Sequence, residues 1–181
     1  SFVLNSTEIK FIIEDNNSSL SKEMISFIKE FVSLSKLFSY EIIKSENASI
    51  KLYVNNEYQR VAFHAIPGGH EFNSFVIAIY NAVGPKQNLD EDTLNKIKSL
   101  SSSKNIKVIV SLSCTMCPDL VVAAQRIAAE NPNVTAHVYD IRHFEELKNR
   151  HKVMSVPCLV INDEQVSFGK KNILQILQLL R

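Results

Sequence analysis

The chain has 181 residues, 45% of them hydrophobic and 22% charged, with a formal net charge of +1. That profile belongs to a globular protein large enough to bury its own core, and the near-zero charge gives no electrostatic case for nucleic acid or an anionic membrane as a partner. No apolar run approaches the roughly 20 residues that cross a bilayer, and no basic segment followed by an apolar one is visible, so neither a membrane span nor a signal peptide is expected.

The chain opens Ser1-Phe2 rather than with Met, which suggests a processed chain or an excised fragment. The apolar run Ile9 to Ile13 predicts a strand, and the polar turn Glu14-Asp15-Asn16-Asn17-Ser18 leads into a helix with Met24, Phe27, Ile28, Phe31 and Leu34 at helical spacing. Strands follow around Tyr40–Ile43, Ile50–Val54 and Arg60–Ala65, separated by turns rich in Asn, Ser and Glu. A helix from about Glu71 to Val83 closes this half. Its apolar residues, among them Phe72, Phe75, Val76, Ile79 and Val83, wrap most of its surface and predict burial. Gly84-Pro85 then breaks the chain, and Asp90 is placed to cap a linker helix bearing Leu94, Ile97 and Leu100.

The same order recurs. Ile106 to Val110 reads as a strand, and Ser111 to Pro118 as a turn entering a helix that Asn131-Pro132-Asn133 stops after Glu130. Val134–Tyr139 is a strand and Phe144–His151 a short helix. Val156–Ile161 is a strand, Asn162-Asp163 a hairpin turn, Gln165–Phe168 its partner, and Asn172–Leu180 the last helix. These two βα-ββα passages predict an α/β fold of two small tandem lobes, residues 1–84 and 106–181, with a linker helix within 85–105. The pattern leaves open whether the lobes pair edge to edge.

Only Gly68, Gly69, Gly84 and Gly169 occur, which excludes both G-x-G-x-x-G and G-x-x-x-x-G-K-[ST]. No flavin or nicotinamide is therefore expected in this chain. Of the three cysteines, Cys114 and Cys117 form one C-x-x-C and Cys158 stands alone. A secreted disulfide scaffold would spread paired cysteines along the chain, so the pattern reads as that of a cytoplasmic protein whose cysteines do chemistry.

Thiol–disulfide exchange needs a thiolate that attacks and a second thiol that releases the mixed disulfide. Two intervening residues place both sulfurs at one end of a helix, where its N–H groups and dipole favour a thiolate. In that geometry the first cysteine is the exposed one. Cys114 is the expected nucleophile, Cys117 the resolving thiol, and Pro118 fits the first helical turn. The rival reading is half of a zinc site completed by Cys158, His137, His143 or His151, none of which forms a ligand pair of usual spacing. Outside that rival, the histidines and Lys170-Lys171 read as surface features. Val156-Pro157 lies about forty residues after the dithiol and just before a strand. This arrangement resembles thioredoxin folds, which set a cis-proline facing the active site; a trans proline opening an edge strand is the plainer alternative.

The segment Ser111-Leu112-Ser113-Cys114-Thr115-Met116-Cys117-Pro118-Asp119 resembles the active-site segment in the N-terminal domain of the alkyl hydroperoxide reductase flavoprotein. The resemblance continues through Asn131-Pro132, Val153 to Pro157 and Val160-Ile161-Asn162, and in the first half through Gly69-His70-Glu71-Phe72-Asn73-Ser74. It implies two fused thioredoxin-like lobes, of which only the second carries a dithiol. It also implies an electron shuttle: a flavin-dependent reductase module, using FAD and NAD(P)H, reduces the dithiol, which then reduces a peroxiredoxin disulfide. Glu71 is implied to lie behind the dithiol and to exchange a proton with the resolving thiol. The alternative for Glu71 is a carboxylate favoured by the start of a helix. The first half departs from the dithiol pattern, with Glu14 to Ser18 in place of cysteines and Ala48-Ser49 in place of the proline. Cys158 directly after Pro157 is either a third redox participant facing the dithiol or a buried thiol. Two further readings stand beside the shuttle: a general or glutaredoxin-like disulfide oxidoreductase, and a metal-binding or interaction adaptor.

Overall fold

In the computed structural model, residues 7–181 are described; the first six residues of the expected 1–84 lobe lie outside the described residues. Strand β1 (Ile9–Asp15) buries Ile9, Phe11 and Ile13 on alternate positions, the period a half-buried strand requires. Helix α1 (Ser19–Val32) follows, with the Ser18 side chain accepting from the Ser21 N–H at its start. Its Met24, Ile28 and Phe31 face inward, and Phe31 meets Phe11, Phe38 and Phe75 in a cluster of ring contacts. Strands β2 (Phe38–Lys44), β3 (Ser49–Val54) and β4 (Glu57–His64) complete the first half, and helix α2 (Phe72–Val83) follows a 3-10 turn at Gly69–Glu71.

Helix α3 (Glu91–Lys98) occupies the linker, capped by Asp90, which accepts from the Thr93 N–H. The second half runs β5 (Lys104–Val110), α4 (Cys117–Glu130), β6 (Val134–Asp140), α5 (Glu145–Arg150), β7 (Cys158–Ile161), β8 (Gln165–Phe168) and α6 (Ile173–Leu179). All eight strands join one sheet in the order β2-β1-β3-β4-β6-β5-β7-β8. In each half the first strand pairs parallel with the second and antiparallel with the third. The halves meet edge to edge where β4 runs parallel to β6, from Val61↔Ala136 to His64↔Tyr139.

The two faces of the sheet are unequal. Ile106, Val108 and Val110 of β5 and Leu159 and Ile161 of β7 share the main core with residues of α1, α2, α3, α4 and α6. Ile109, Cys158 and Val160 point the other way, into a smaller cluster closed by Leu147 of α5 and Val153. Alternation along β5 and β7 therefore separates two cores.

Three sequence expectations need correction. Helix α2 is not buried all round: Phe72, Val76 and Tyr80 are about two-fifths exposed, while Ser74, Phe75, Ala78 and Ile79 carry the packing. One side of this helix packs against α4 and β3 and the opposite side is left open, although both are apolar. The linker ends sooner than expected, because β5 begins at Lys104, and Leu100 lies beyond α3 rather than on it. Far from being a loose tether, α3 buries Ile97 completely, and the buried Asn131 side chain donates to the Ile97 and Leu100 carbonyls at 2.8 and 2.9 Å. No helix among the described residues is long and apolar enough to cross a membrane.

Candidate functional site

Strand β5 delivers the chain at Val110 to a short loop, and α4 starts at Cys117 with Pro118 in its first turn. The missing N–H of proline costs nothing there, because the first N–H groups of a helix have no intrahelical acceptor. Within the loop the Cys114 N–H donates to the Ser111 carbonyl at 3.0 Å. Cys114 and Cys117 are joined as a disulfide with their Cα atoms 5.5 Å apart. The Cys117 N–H points at the Cys114 sulfur, 3.2 Å away, so a thiolate formed on Cys114 would sit at the positive end of α4. Cys117 is fully buried and Cys114 only partly so, while Met116 between them is exposed.

Pro157 approaches this loop through the sheet. Cys158 pairs with Ile109 in antiparallel β7 and β5, so the residues before Cys158 run alongside the end of β5 from which the dithiol loop departs. The Val156-Pro157 peptide is cis, and the Pro157 carbonyl accepts from the Gly169 N–H at 3.0 Å.

Glu71 comes from the first half. Its 3-10 turn packs against α4, and the His70 N–H donates to the Leu112 carbonyl of the dithiol loop at 3.0 Å. The Glu71 carboxyl is completely buried; Oε1 accepts from the Ser74 hydroxyl at 2.6 Å, and Oε2 has no hydrogen-bond partner. Burial pushes this carboxyl up to about 7, against a smaller downward pull from Ser74. The structure thus gathers Cys114, Cys117 and the turn bearing Glu71 around the start of α4, with Pro157 on the neighbouring strand.

Cys158 is not part of that group. It lies in the smaller cluster with Ile109 and Val160, on the opposite side of the sheet from the core that takes Cys117. Burial pushes its thiol up to about 11, far from a reactive thiolate. The expectation of a third redox participant facing the dithiol fails because β7 alternates: Cys158 and Val160 share one face, and only Leu159 and Ile161 reach the other.

The corresponding end of β1 carries Glu14 instead of chemistry on sulfur. Its carboxylate accepts from Ser45 and Ser49 hydroxyls at 2.8 and 2.6 Å and pairs with Lys51 at 3.0 Å. Burial raises this group, but the hydrogen bonds and the lysine charge outweigh it and hold the carboxyl down to about 2.

The sequence places the histidines at the surface, and two are not there. His64 is 7% exposed and lies 2.9 Å from His137, ring nitrogen to ring nitrogen, while the other His137 nitrogen meets the Tyr58 hydroxyl at 3.0 Å. His64 also stacks on Tyr139 with ring centres 4.1 Å apart. Burial depresses His64 to about 3, with His137 adding to it, and His137 to about 4, with Lys51 and Lys107 adding to it. One signal is present in the sequence: His64 sits between apolar Val61-Ala62-Phe63 and Ala65. Among the described residues, no three or more His, Cys, Asp or Glu side chains gather as metal ligands.

A thioredoxin domain profile matches residues 104–180. The AhpF component of alkyl hydroperoxide reductase in Staphylococcus aureus is 32% identical over 174 residues, 95% of this chain and 34% of that protein. A protein named NADH dehydrogenase in Bacillus subtilis is 31% identical over 160 residues, 87% of this chain and 31% of that protein. The chain thus spans about a third of the length of the curated relatives it matches. Among solved structures, the NTD N/C domain of alkylhydroperoxide reductase AhpF from Enterococcus faecalis superposes with a TM-score of 0.91 at 34% identity, over 99% of this chain and 96% of that one. With a thioredoxin-like fold, a C-x-x-C disulfide at a helix start and near-complete mutual coverage with that domain, the chain belongs to the family of the N-terminal domain of AhpF, the alkyl hydroperoxide reductase flavoprotein.

Proposed function

We propose that this chain is a thiol–disulfide electron shuttle that takes reducing equivalents from a flavin-dependent reductase module and passes them to the disulfide of a peroxiredoxin. One observation carries the reading: half-buried Cys114 is joined to fully buried Cys117 at the start of α4, with the Cys117 N–H directed at the Cys114 sulfur. That is the division of labour between an attacking and a resolving thiol.

In the reduced chain the Cys114 thiolate attacks one sulfur of the partner disulfide. That bond breaks, a Cys114–partner disulfide forms, and the displaced partner sulfur takes a proton. Cys117 then loses its proton and attacks the Cys114 sulfur. The mixed disulfide breaks, the partner leaves fully reduced, and Cys114–Cys117 is restored. Two electrons and two protons have moved to the partner. Glu71, buried beside α4 with a carboxyl near neutrality, is assigned to accept the Cys117 proton. Pro157 is assigned to shape the surface that the partner disulfide meets.

The names of the relatives support the choice of donor and acceptor. FAD and NAD(P)H are assigned to the reductase module, in cis or in trans, because this chain has no glycine-rich phosphate loop. Residues 1–84 are read as a redox-inactive thioredoxin-like lobe, 85–105 as a linker and 106–181 as the redox lobe; the repeated strand order in the two halves of the sheet supports the division. The cytoplasm is the proposed compartment, and neither nucleic acid nor membrane is a proposed partner.

The test offers pre-reduced chain separately to a bacterial peroxiredoxin disulfide and to insulin, with Cys114→Ser alongside. Faster reduction of the peroxiredoxin, lost in the variant, is expected. Equal rates on both substrates would reduce the assignment to a general disulfide oxidoreductase, and no reduction of either would overturn it.

A further inference from the structure

The dithiol loop is held by backbone from the other half of the chain. Gly69 has a φ of +55°, and a Cβ built on it would stand 2.7 Å from the Leu112 carbonyl oxygen. The next residue, His70, donates its N–H to that same oxygen at 3.0 Å. Leu112 precedes Cys114 by two residues, within the turn closed by the Cys114 N–H to Ser111 carbonyl bond. Glycine is demanded twice here, by a left-handed conformation and by the close approach of a carbonyl that cannot rotate away as a side chain would.

We propose that the Gly69–His70 backbone is a positioning element for the dithiol: by gripping the Leu112 carbonyl it holds the loop so that the Cys114 sulfur stays against the Cys117 N–H at the start of α4. The proposal rests on the reading of Cys114 and Cys117 as an exchange pair. It assigns a redox role to a turn that has no reactive group of its own. The thiolate on Cys114 is favoured by the Cys117 N–H at 3.2 Å and by the end of α4. Both effects fall off steeply with distance, so a small shift of the loop costs thiolate. The same turn continues into Glu71, whose N–H donates to the Gly68 carbonyl at 3.0 Å. One backbone contact therefore ties the loop to the segment carrying the buried carboxyl.

The neighbouring glycine supplies the control. Gly68 has a φ of −119°, and a Cβ there would meet only Ile66 Cγ2, at 3.7 Å, an ordinary contact. The test compares Gly69→Ala and Gly69→Asn with Gly68→Ala and His70→Ala in the whole chain. Asparagine tolerates a positive φ better than alanine but brings the same Cβ. The Cys114 thiolate is titrated by its ultraviolet absorbance, and exchange is followed with the aromatic disulfide DTNB. In that reaction the Cys114 thiolate displaces one thionitrobenzoate and Cys117 displaces the second as the protein disulfide closes. Thermal unfolding is recorded for every variant.

Both Gly69 variants are expected to raise the Cys114 pKa by about one unit and so to slow exchange at neutral pH about tenfold. Gly68→Ala and His70→Ala, which keep the contact, are expected to match the parent. Loss of thermal stability in the Gly69 variants with an unchanged Cys114 titration and rate would overturn the proposal. So would an equal effect from Gly68→Ala. If Gly69→Ala does not fold, Gly69→Asn alone decides between the two outcomes. Failure of the parent chain to react through Cys114 would be a different result, and would remove the exchange reading itself.

Discussion

Glu71 sits where a charge is costly. Its carboxyl is completely buried, Oε2 has no partner, and burial lifts it from 4.5 to about 7. In the folded chain it therefore keeps its proton at pH values where an unfolded glutamate has lost it. Stability contributed by the neutral acid is full below about 4.5 and is lost as pH rises through about 7. A group that changes state near neutrality suits the removal of a proton from Cys117. Glu71→Gln should raise the melting temperature more at pH 8 than at pH 5. It should also slow the closing step, mixed disulfide to Cys114–Cys117, by roughly tenfold to a hundredfold and flatten its pH dependence around 7. Rapid-quench trapping of the mixed disulfide reads this. A stabilised variant with an unchanged closing rate would leave Glu71 as a buried carboxyl without a proton-transfer role. Its chemistry was legible only through the resemblance of the Gly-His-Glu-Phe segment; the turn that buries it depends on a contact with Leu112, far away in sequence.

Among the elements, the strands with alternating buried residues, β1 and β5, were readable from pattern, as were the Ser18 and Asp90 caps. Pattern misled at α2, where apolar residues all round do not say which face packs, and at the linker. Asn131 reads in sequence as a helix stop. In the fold it also satisfies the end of α3, donating to the Ile97 and Leu100 carbonyls while accepting from the Asn133 N–H at 2.8 Å. Those carbonyls belong to the unpaired set that every helix end leaves. Asn131→Ala should therefore cost about 2–3 kcal/mol in denaturant unfolding, as buried acceptors lose their donor. A loss under about 0.5 kcal/mol would show that solvent replaces the side chain freely.

The whole molecule is held together at the β4–β6 seam, which no local pattern announces because it joins parallel strands far apart in sequence. Tyr58, His137 and His64 cross that seam as a chain of hydrogen bonds. The Ala48 backbone accepts from His64, which leaves its other nitrogen to accept from His137, and His137 to accept from Tyr58. Both imidazoles are neutral in that assignment. Polar residues on a strand read as solvent-facing, so this pair was missed. Glu14, Lys51 and Lys107 are the charged groups that act on it. Because both folded-state values lie below the ordinary 6.5, the unfolded chain takes up more protons, and stability must fall as pH drops from about 6.5 toward about 4. The expected loss between pH 6.5 and 5 is on the order of 2 kcal/mol, and His64→Phe should reduce it. Parallel losses in the parent and the variant would place the acid sensitivity elsewhere.

The central claim is that electrons leave this molecule through Cys114. The most direct measurement is to mix reduced Cys117→Ser chain with an oxidised peroxiredoxin and identify the trapped species by mass spectrometry. A mixed disulfide between Cys114 and a peroxiredoxin cysteine, absent when Cys114→Ser is used instead, is the predicted result. A covalent complex formed through Cys117 or Cys158, or none with either variant, would contradict the account.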